Sequence, residues 1–256
     1  MSLPRPLHAV IAAAASAAAI VGAVALGPAH LASAAPAQDL PSVDQLRSAL
    51  LTAADLGPDF TEAAPSQSPG PDGSQSPDPN ETPSPVSGCD ALSALVNMHA
   101  AQPGLANPRA ETELDGPDGN PMVTEALAAE APDRLAADFN SVADALRSCH
   151  TITFNAGIGD TVTFAVTPVT LGDRQDAPAV RLDGTLDGVQ LNAFIGIERF
   201  GTVAMAFGYF QREGASAQTA SMQYRTAVAK VERTLGTTAG STTPPTVVAT
   251  TQGMRV

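Results

Sequence analysis

The chain has 256 residues, a formal net charge of −13 at pH 7, no tryptophan and a single lysine, Lys230. Such an acidic balance excludes recognition of nucleic-acid phosphates and disfavours electrostatic docking on anionic lipid. Only 4% of residues are aromatic, so small side chains build the core, and the packable part amounts to one core of roughly 150 residues plus tails.

Arg5 precedes an apolar, alanine-rich run from Ala9 to Leu26, followed by Ala32-Ser33-Ala34 and Ala35-Pro36-Ala37. A basic start, a greasy run and small-x-small triplets predict an export signal over residues 1–34, with an alternative end at 37. The rival reading is an uncleaved membrane anchor, because the run approaches spanning length. No cysteine lies near the cleavage patterns, so a lipid-modified amino terminus is not supported. Under either reading the rest of the chain is expected outside the cytoplasm, secreted or in the cell envelope, and touches a membrane only if the segment stays uncleaved.

Residues 35–63 form an N-terminal helix segment. Ser42 and Gln45 have capping-box spacing, Leu46, Leu50 and Leu51 share a helical face, and Leu56-Gly57-Pro58 ends the run. The apolar face predicts that this helix docks on the core. Residues 64–87 turn abruptly to Pro, Ser, Gly, Asp and Gln, a composition that buries too little apolar area to order itself and reads as a disordered linker. It holds an N-glycosylation triplet, Asn80-Glu81-Thr82, although the alanine-rich composition suggests a bacterial source.

The folded body spans 88–236. A helix is expected from Cys89 to Ala100, a strand from Ala106 to Leu114, a turn-rich tip from Asp115 to Asn120, and a returning strand or irregular edge from Met122 to Ala128. Pro132 suits a helix's first turn, and Leu135, Phe139, Val142 and Leu146 repeat at helical spacing to Ser148. Thr151 to Asn155 and Thr161 to Thr167 alternate as a hairpin around Gly157–Asp160. Three strands follow, Val180–Leu186, Val189–Ile197 and Val203–Tyr209, the first two joined by an Asp187-Gly188 turn. Ala215 to Leu235 is a long amphipathic helix, and residues 237–256 a flexible tail. The order predicts an α+β fold: an antiparallel meander covered on one face by helices. The other face, with Thr161, Thr163, Arg181, Thr185, Gln190 and Asn192, is expected in solvent.

Cys89 and Cys149 are the only cysteines. An even count in an oxidising compartment predicts a disulfide, which closes a loop of about 60 residues and constrains the unfolded chain by roughly 4 kcal/mol. A metal site needs more ligands than the adjacent His150, and a catalytic thiol needs a base and exposure. No nucleophile elbow, zinc-protease helix, Walker loop or dinucleotide glycine pattern is present. His99 and His150 are expected in structural or surface roles. The tip Asp115-Gly116-Pro117-Asp118-Gly119-Asn120 could offer oxygens to calcium but lacks EF-hand spacing, and its Asp-Gly and Gly-Asn pairs make good turns without metal. Glu198-Arg199-Phe200-Gly201 reads as a hairpin tip with an exposed aromatic. No catalytic, cofactor-binding or metal residue is assigned, and no cofactor is expected.

Leu50-Leu51-Thr52-Ala53-Ala54-Asp55-Leu56-Gly57, Val123-Thr124-Glu125-Ala126-Leu127, the helix into Cys149, the meander and Ala227-Val228-Ala229-Lys230-Val231 together resemble a family. The chain is similar to actinobacterial extracellular sensor-like domains, found free as secreted proteins or lipoproteins and fused outside receptor Ser/Thr protein kinases. The resemblance implies an antiparallel sheet with helices around a cleft and a disulfide-stabilised shell, and carries over no catalytic residue. The expected function is a secreted, non-enzymatic sensor-like module that binds a small apolar or cell-envelope molecule. The alternatives are a secreted hydrolase with an acid pair or a histidine in a cleft, and an envelope interaction module using a patch around Phe200.

Overall fold

The computed structural model describes residues 40–63, 86–91, 107–157 and 160–243. The expected export segment, the linker up to residue 85 with Asn80, most of the helix expected after Cys89 with His99, and the tail beyond 243 lie outside the described residues.

The amino-terminal segment folds as its sequence dictates. Helix α1 (Val43–Ala49) is closed by a reciprocal capping box: Ser42 Oγ accepts from the Gln45 amide at 3.3 Å, and Gln45 Oε1 accepts from the Ser42 amide at 2.8 Å. A second box, between Thr52 and Asp55, starts the short α2 (Ala53–Leu56). Strands β1 (Thr61–Glu62), β2 (Val86–Ser87), β3 (Arg109–Asp115) and β4 (Met122–Ala129) come next. Helix α3 (Pro132–Ser148) has Pro132 in its first turn, where a missing amide hydrogen costs nothing. The meander is β5 (Thr151–Gly157), β6 (Asp160–Pro168), β7 (Ala179–Leu186), β8 (Val189–Phe200) and β9 (Val203–Arg212), and α4 (Ala217–Leu235) closes the body.

The nine strands form one antiparallel sheet in the order β1-β3-β4-β9-β8-β7-β6-β5-β2. Asp187 and Gly188, both at positive φ (51° and 82°), make the tight β7–β8 turn whose twist matches the strands it joins. β4 pairs with β3 on one side and β9 on the other, so it is an inner strand, not an irregular edge. Val86 and Ser87, expected in the linker, pair with Phe154 and Thr153 of β5. Beyond α4, Gly240 and Ser241 bond the backbone of Arg199 and Gly201, so the start of the expected tail is tied to the sheet.

The α+β class and the antiparallel meander stand as the sequence indicates, but the cover is two-sided. Alternate residues of β9 belong to different cores. Val203, Met205, Phe207 and Tyr209 pack with α1 and α4, whereas Ala204, Ala206 and Phe210 pack with α3. The expectation of one covered face fails because β8 and β9 are apolar on both sides; period-two alternation is absent where both faces are buried. On the α4 face, Tyr224 lies against β8 and its hydroxyl donates to the Ile197 carbonyl at 3.3 Å. Gly196 makes this approach possible, since a Cβ there would sit 2.8 Å from the Tyr224 ring. The docked α1 segment buries Leu46, Leu50 and Leu51 in the same core.

Cys89 and Cys149 form a disulfide with Cα atoms 5.5 Å apart. It fastens the carboxyl end of α3, where Cys149 is the cap residue, to the chain entering from β2.

Candidate functional site

The α3 face holds a small apolar concavity, with about 20 Å³ free, at the end of the sheet where β9 finishes. Strand register builds it. Gly184, Leu191 and Arg212 lie across one row of β7, β8 and β9, and Leu182, Ala193, Phe210 and Met122 across the next, from β7 to β4. Phe164 of β6 stands beside Gly184, at which a Cβ would come within 2.8 Å of the ring. The phenyl group of Phe164 also meets Phe154 edge-on, with centroids 5.7 Å apart.

The tip between β3 and β4 forms the rim. Asn120 Oδ1 accepts from the Arg212 amide at 2.9 Å, and the Arg212 guanidinium donates to the Asp118 carbonyl at 3.2 Å. The tip is a 3₁₀ turn over Pro117–Gly119. Among the described residues no group of three or more His, Cys, Asp or Glu is placed to hold a metal ion.

A second hollow, of about 430 Å³ and polar, lies on the α4 face beyond the start of α4, lined by Arg181, Asp183, Thr185, Gln190 and Asn192. Its charges are mutually satisfied. Arg181 pairs with Asp183 at 2.7 Å, and Asn192 donates to the same carboxylate at 2.5 Å. The Arg181 guanidinium also rests over the Phe194 ring, 5.7 Å from its centroid. Asn192 was expected in solvent, yet it is only 8% exposed because these neighbours close over it.

Several carboxyl groups are buried. Glu125 is 1% exposed and accepts the Leu51 amide at 2.6 Å, pinning the amino-terminal segment to β4. Desolvation pushes its pKa up to about 8, against the opposing pull of that amide and of Lys230. Lys230, the chain's only lysine, pairs nearby with Asp55 at 2.5 Å. On the other side of β4's end, Glu130 and Asp138 converge around Arg134, with Arg134 Nε 4.0 and 3.8 Å from their oxygens. Burial and the neighbouring Asp138 charge raise the Glu130 pKa. This is an acid pair of the type a hydrolase needs, but the two residues are 0% and 1% exposed, and no substrate reaches them in this arrangement. His150 is exposed at the head of β5.

The structure also corrects the reading of Phe200 as an exposed tip residue. It is fully buried on the α4 face, because β8 continues through Glu198 and Arg199 and the turn falls at Gly201-Thr202. The resemblance implied a cleft, but sequence reasoning named none of the residues of this concavity. Its lining comes from five strands, and only the register brings them together.

No family model and no curated protein matches the chain. Among solved structures, it is similar to the extracellular domain of PknH from Mycobacterium tuberculosis, with a TM-score of 0.50 and 14% sequence identity over 77% of this chain and 97% of that one. At that identity the likeness is one of fold. No helix among the described residues is long and apolar enough to cross a membrane.

Proposed function

We propose that the protein is an extracytoplasmic, non-enzymatic, sensor-like binding module whose ligand is a small apolar molecule of the cell envelope. The observation that carries this reading is the α3-face concavity. Its walls are Met122, Phe164, Leu182, Leu191, Ala193 and Phe210, with a few polar groups confined to the rim, and a ligand enters only as these buried side chains part. The fold shared with the extracellular domain of PknH supports the same reading, as do the export pattern at the amino terminus and the disulfide. The hydrolase alternative loses its support with the burial of Glu130 and Asp138, and the interaction-patch alternative with the burial of Phe200.

The test is binding of a neutral apolar fluorophore, phenylnaphthylamine, whose emission rises in apolar pockets. Saturable enhancement is expected for the wild-type protein. Ala193→Leu, which narrows the concavity from its floor, is expected to weaken it about tenfold or more. Absence of saturable binding, or identical binding by the variant, overturns the proposal.

A further inference from the structure

The polar hollow lies on the opposite side of the sheet from the apolar concavity. We propose that it is a second binding site, for a neutral glycan, with one sugar ring seated in the hollow and the next on the threonine-bearing sheet face beside it. The proposal stands independently of the apolar site.

At about 430 Å³ the hollow has the size of a small-molecule site. Its floor is rigid, because β7 and β8 are inner strands. Register sets its side chains in rows: Thr185 opposite Gln190, Asp183 opposite Asn192, and Arg181 one step further along the same face. Gly214 and Ala215 wall one side, held to β8 by the Glu213 amide, which donates to the Gln190 carbonyl at 3.0 Å. Asp183 receives its protein donors on one oxygen. Oδ1 accepts from Arg181 Nε at 2.9 Å and from Asn192 Nδ2 at 2.5 Å, and Arg181 Nη2 lies 2.7 Å from it. Oδ2 accepts nothing among the described residues, and the Asp183 and Arg181 side chains are 39% and 38% exposed. The hollow therefore offers an open acceptor beside open guanidinium donors, both already held in place.

That lining selects the ligand. Arg181 and Asp183 cancel each other's charge, so the hollow attracts neither an anion nor a cation. Adjacent hydroxyl groups fit what remains, because each can donate to Asp183 Oδ2 and accept from Arg181. Donors and acceptors fixed before binding also lower the ordering cost. A peptide fits less well. β7 and β8 are flanked by strands on both sides and offer no open edge, and Ala215 is the one apolar side chain of the lining. The sheet face beyond the hollow continues the same chemistry. Thr163 and Thr153 extend the Thr185–Gln190 row across β6 and β5, with their hydroxyl oxygens 2.8 Å apart. Thr163 and Thr185 are exposed, so a second ring has hydroxyl partners within reach of the first.

The experiment titrates cellotriose, its N-acetylated counterpart triacetylchitotriose, and permethylated cellotriose into the isotope-labelled full chain, and follows backbone amide shifts by NMR. Saturable shifts are expected at Thr185, Gln190 and Asn192 with at least one of the two hydroxyl-bearing sugars, and the tighter of them identifies the sugar class. The permethylated form has no hydroxyl to donate to Asp183 and is expected to bind about tenfold to a hundredfold more weakly, the range for a hydrogen bond to a charged group. Asp183→Asn and Arg181→Met are expected to weaken the preferred sugar by a similar factor, and the exposed Gln190→Ala by about threefold. Circular dichroism melting checks that each variant is folded. Absence of saturable shifts at these amides with both hydroxyl-bearing sugars, equal binding of the permethylated form, or undiminished binding by folded Asp183→Asn and Arg181→Met overturns the proposal. Displacement of phenylnaphthylamine by the sugar would put it on the other face and overturns the proposal as well. None of these results bears on whether the wild-type protein binds phenylnaphthylamine alone, so the two sites are tested separately.

Discussion

The two faces of the sheet use the same strands to opposite ends. On the α4 face, Phe194, Phe207 and Tyr209 of β8 and β9 meet α1 and α4, and Tyr224 is received edge-on by Phe207 with centroids 5.5 Å apart. On the α3 face the matching positions of β9 are Ala204, Ala206 and Gly208, and only Phe210, at the end, is large. One face is filled with rings. The other has small side chains along β9 and carries the concavity beyond them, around Phe210. The chain's few aromatics lie mostly on the α4 face, with Phe154, Phe164 and Phe210 on the other.

The strongest test of this division is a pair of truncations on opposite faces. Phe207→Ala removes a fully buried ring from the filled face and is expected to cost about 3–5 kcal/mol by urea denaturation. Leu191→Ala removes a concavity wall and is expected to cost under about 2 kcal/mol, because that side chain already borders open space. Equal losses would mean that the faces do not differ in the way proposed.

A second difference lies in how each face holds its charge. Glu125 ties the amino-terminal segment to the α4 face, and its pKa stands at about 8 against an ordinary value near 4.5. The folded state therefore retains a proton that the unfolded state gives up across that interval. Its contribution is fully present below about pH 4.5, and is lost as pH rises towards 8 at about 1.4 kcal/mol per unit. Glu125→Gln keeps the shape and the acceptor for Leu51 but cannot ionise. Urea midpoints at pH 5, 7 and 9 are expected to show the variant gaining on the wild type as pH rises, with the gap levelling off above pH 8. A pH-independent difference would show that Glu125 is not a proton-retaining group.

Much of the fold was written locally. The Ser42–Gln45 box, Pro132 in the first turn of α3 and Asp187-Gly188 each act within four residues, and the structure places α1, α3 and the β7–β8 turn accordingly. Glu125, Asp138 and the concavity were not legible in this way. Glu125 meets Leu51 across 74 positions and Arg212 meets Asn120 across 92, distances over which no periodicity carries information. The two-sided cover was hidden for a related reason: an uninterrupted apolar run in β8 and β9 says that both faces are buried without naming the helix on each. Phe200 was misplaced because Glu198-Arg199 looks like a turn in sequence. In space Glu198 is a buried strand residue, held by Arg174 at 3.5 Å and by the Arg199 amide.

The smallest expected effect makes the sharpest comparison, between two positions three residues apart on β8. Gly196 faces α4, and the single methyl of Gly196→Ala would sit 2.8 Å from the Tyr224 ring and 3.1 Å from Leu171. Neither neighbour has room to yield in a filled core, so a cost of about 1–3 kcal/mol is expected. Ala193 faces the concavity, where about 20 Å³ is free, and Ala193→Leu adds three carbons there. Its neighbours border that opening and can part, so the expected cost is no greater than that of Gly196→Ala, about 1–3 kcal/mol. If Ala193→Leu proves the more damaging of the two in thermal or chemical denaturation, the α3 face is packed at least as tightly as its opposite, and the space assigned to a ligand is not available to one.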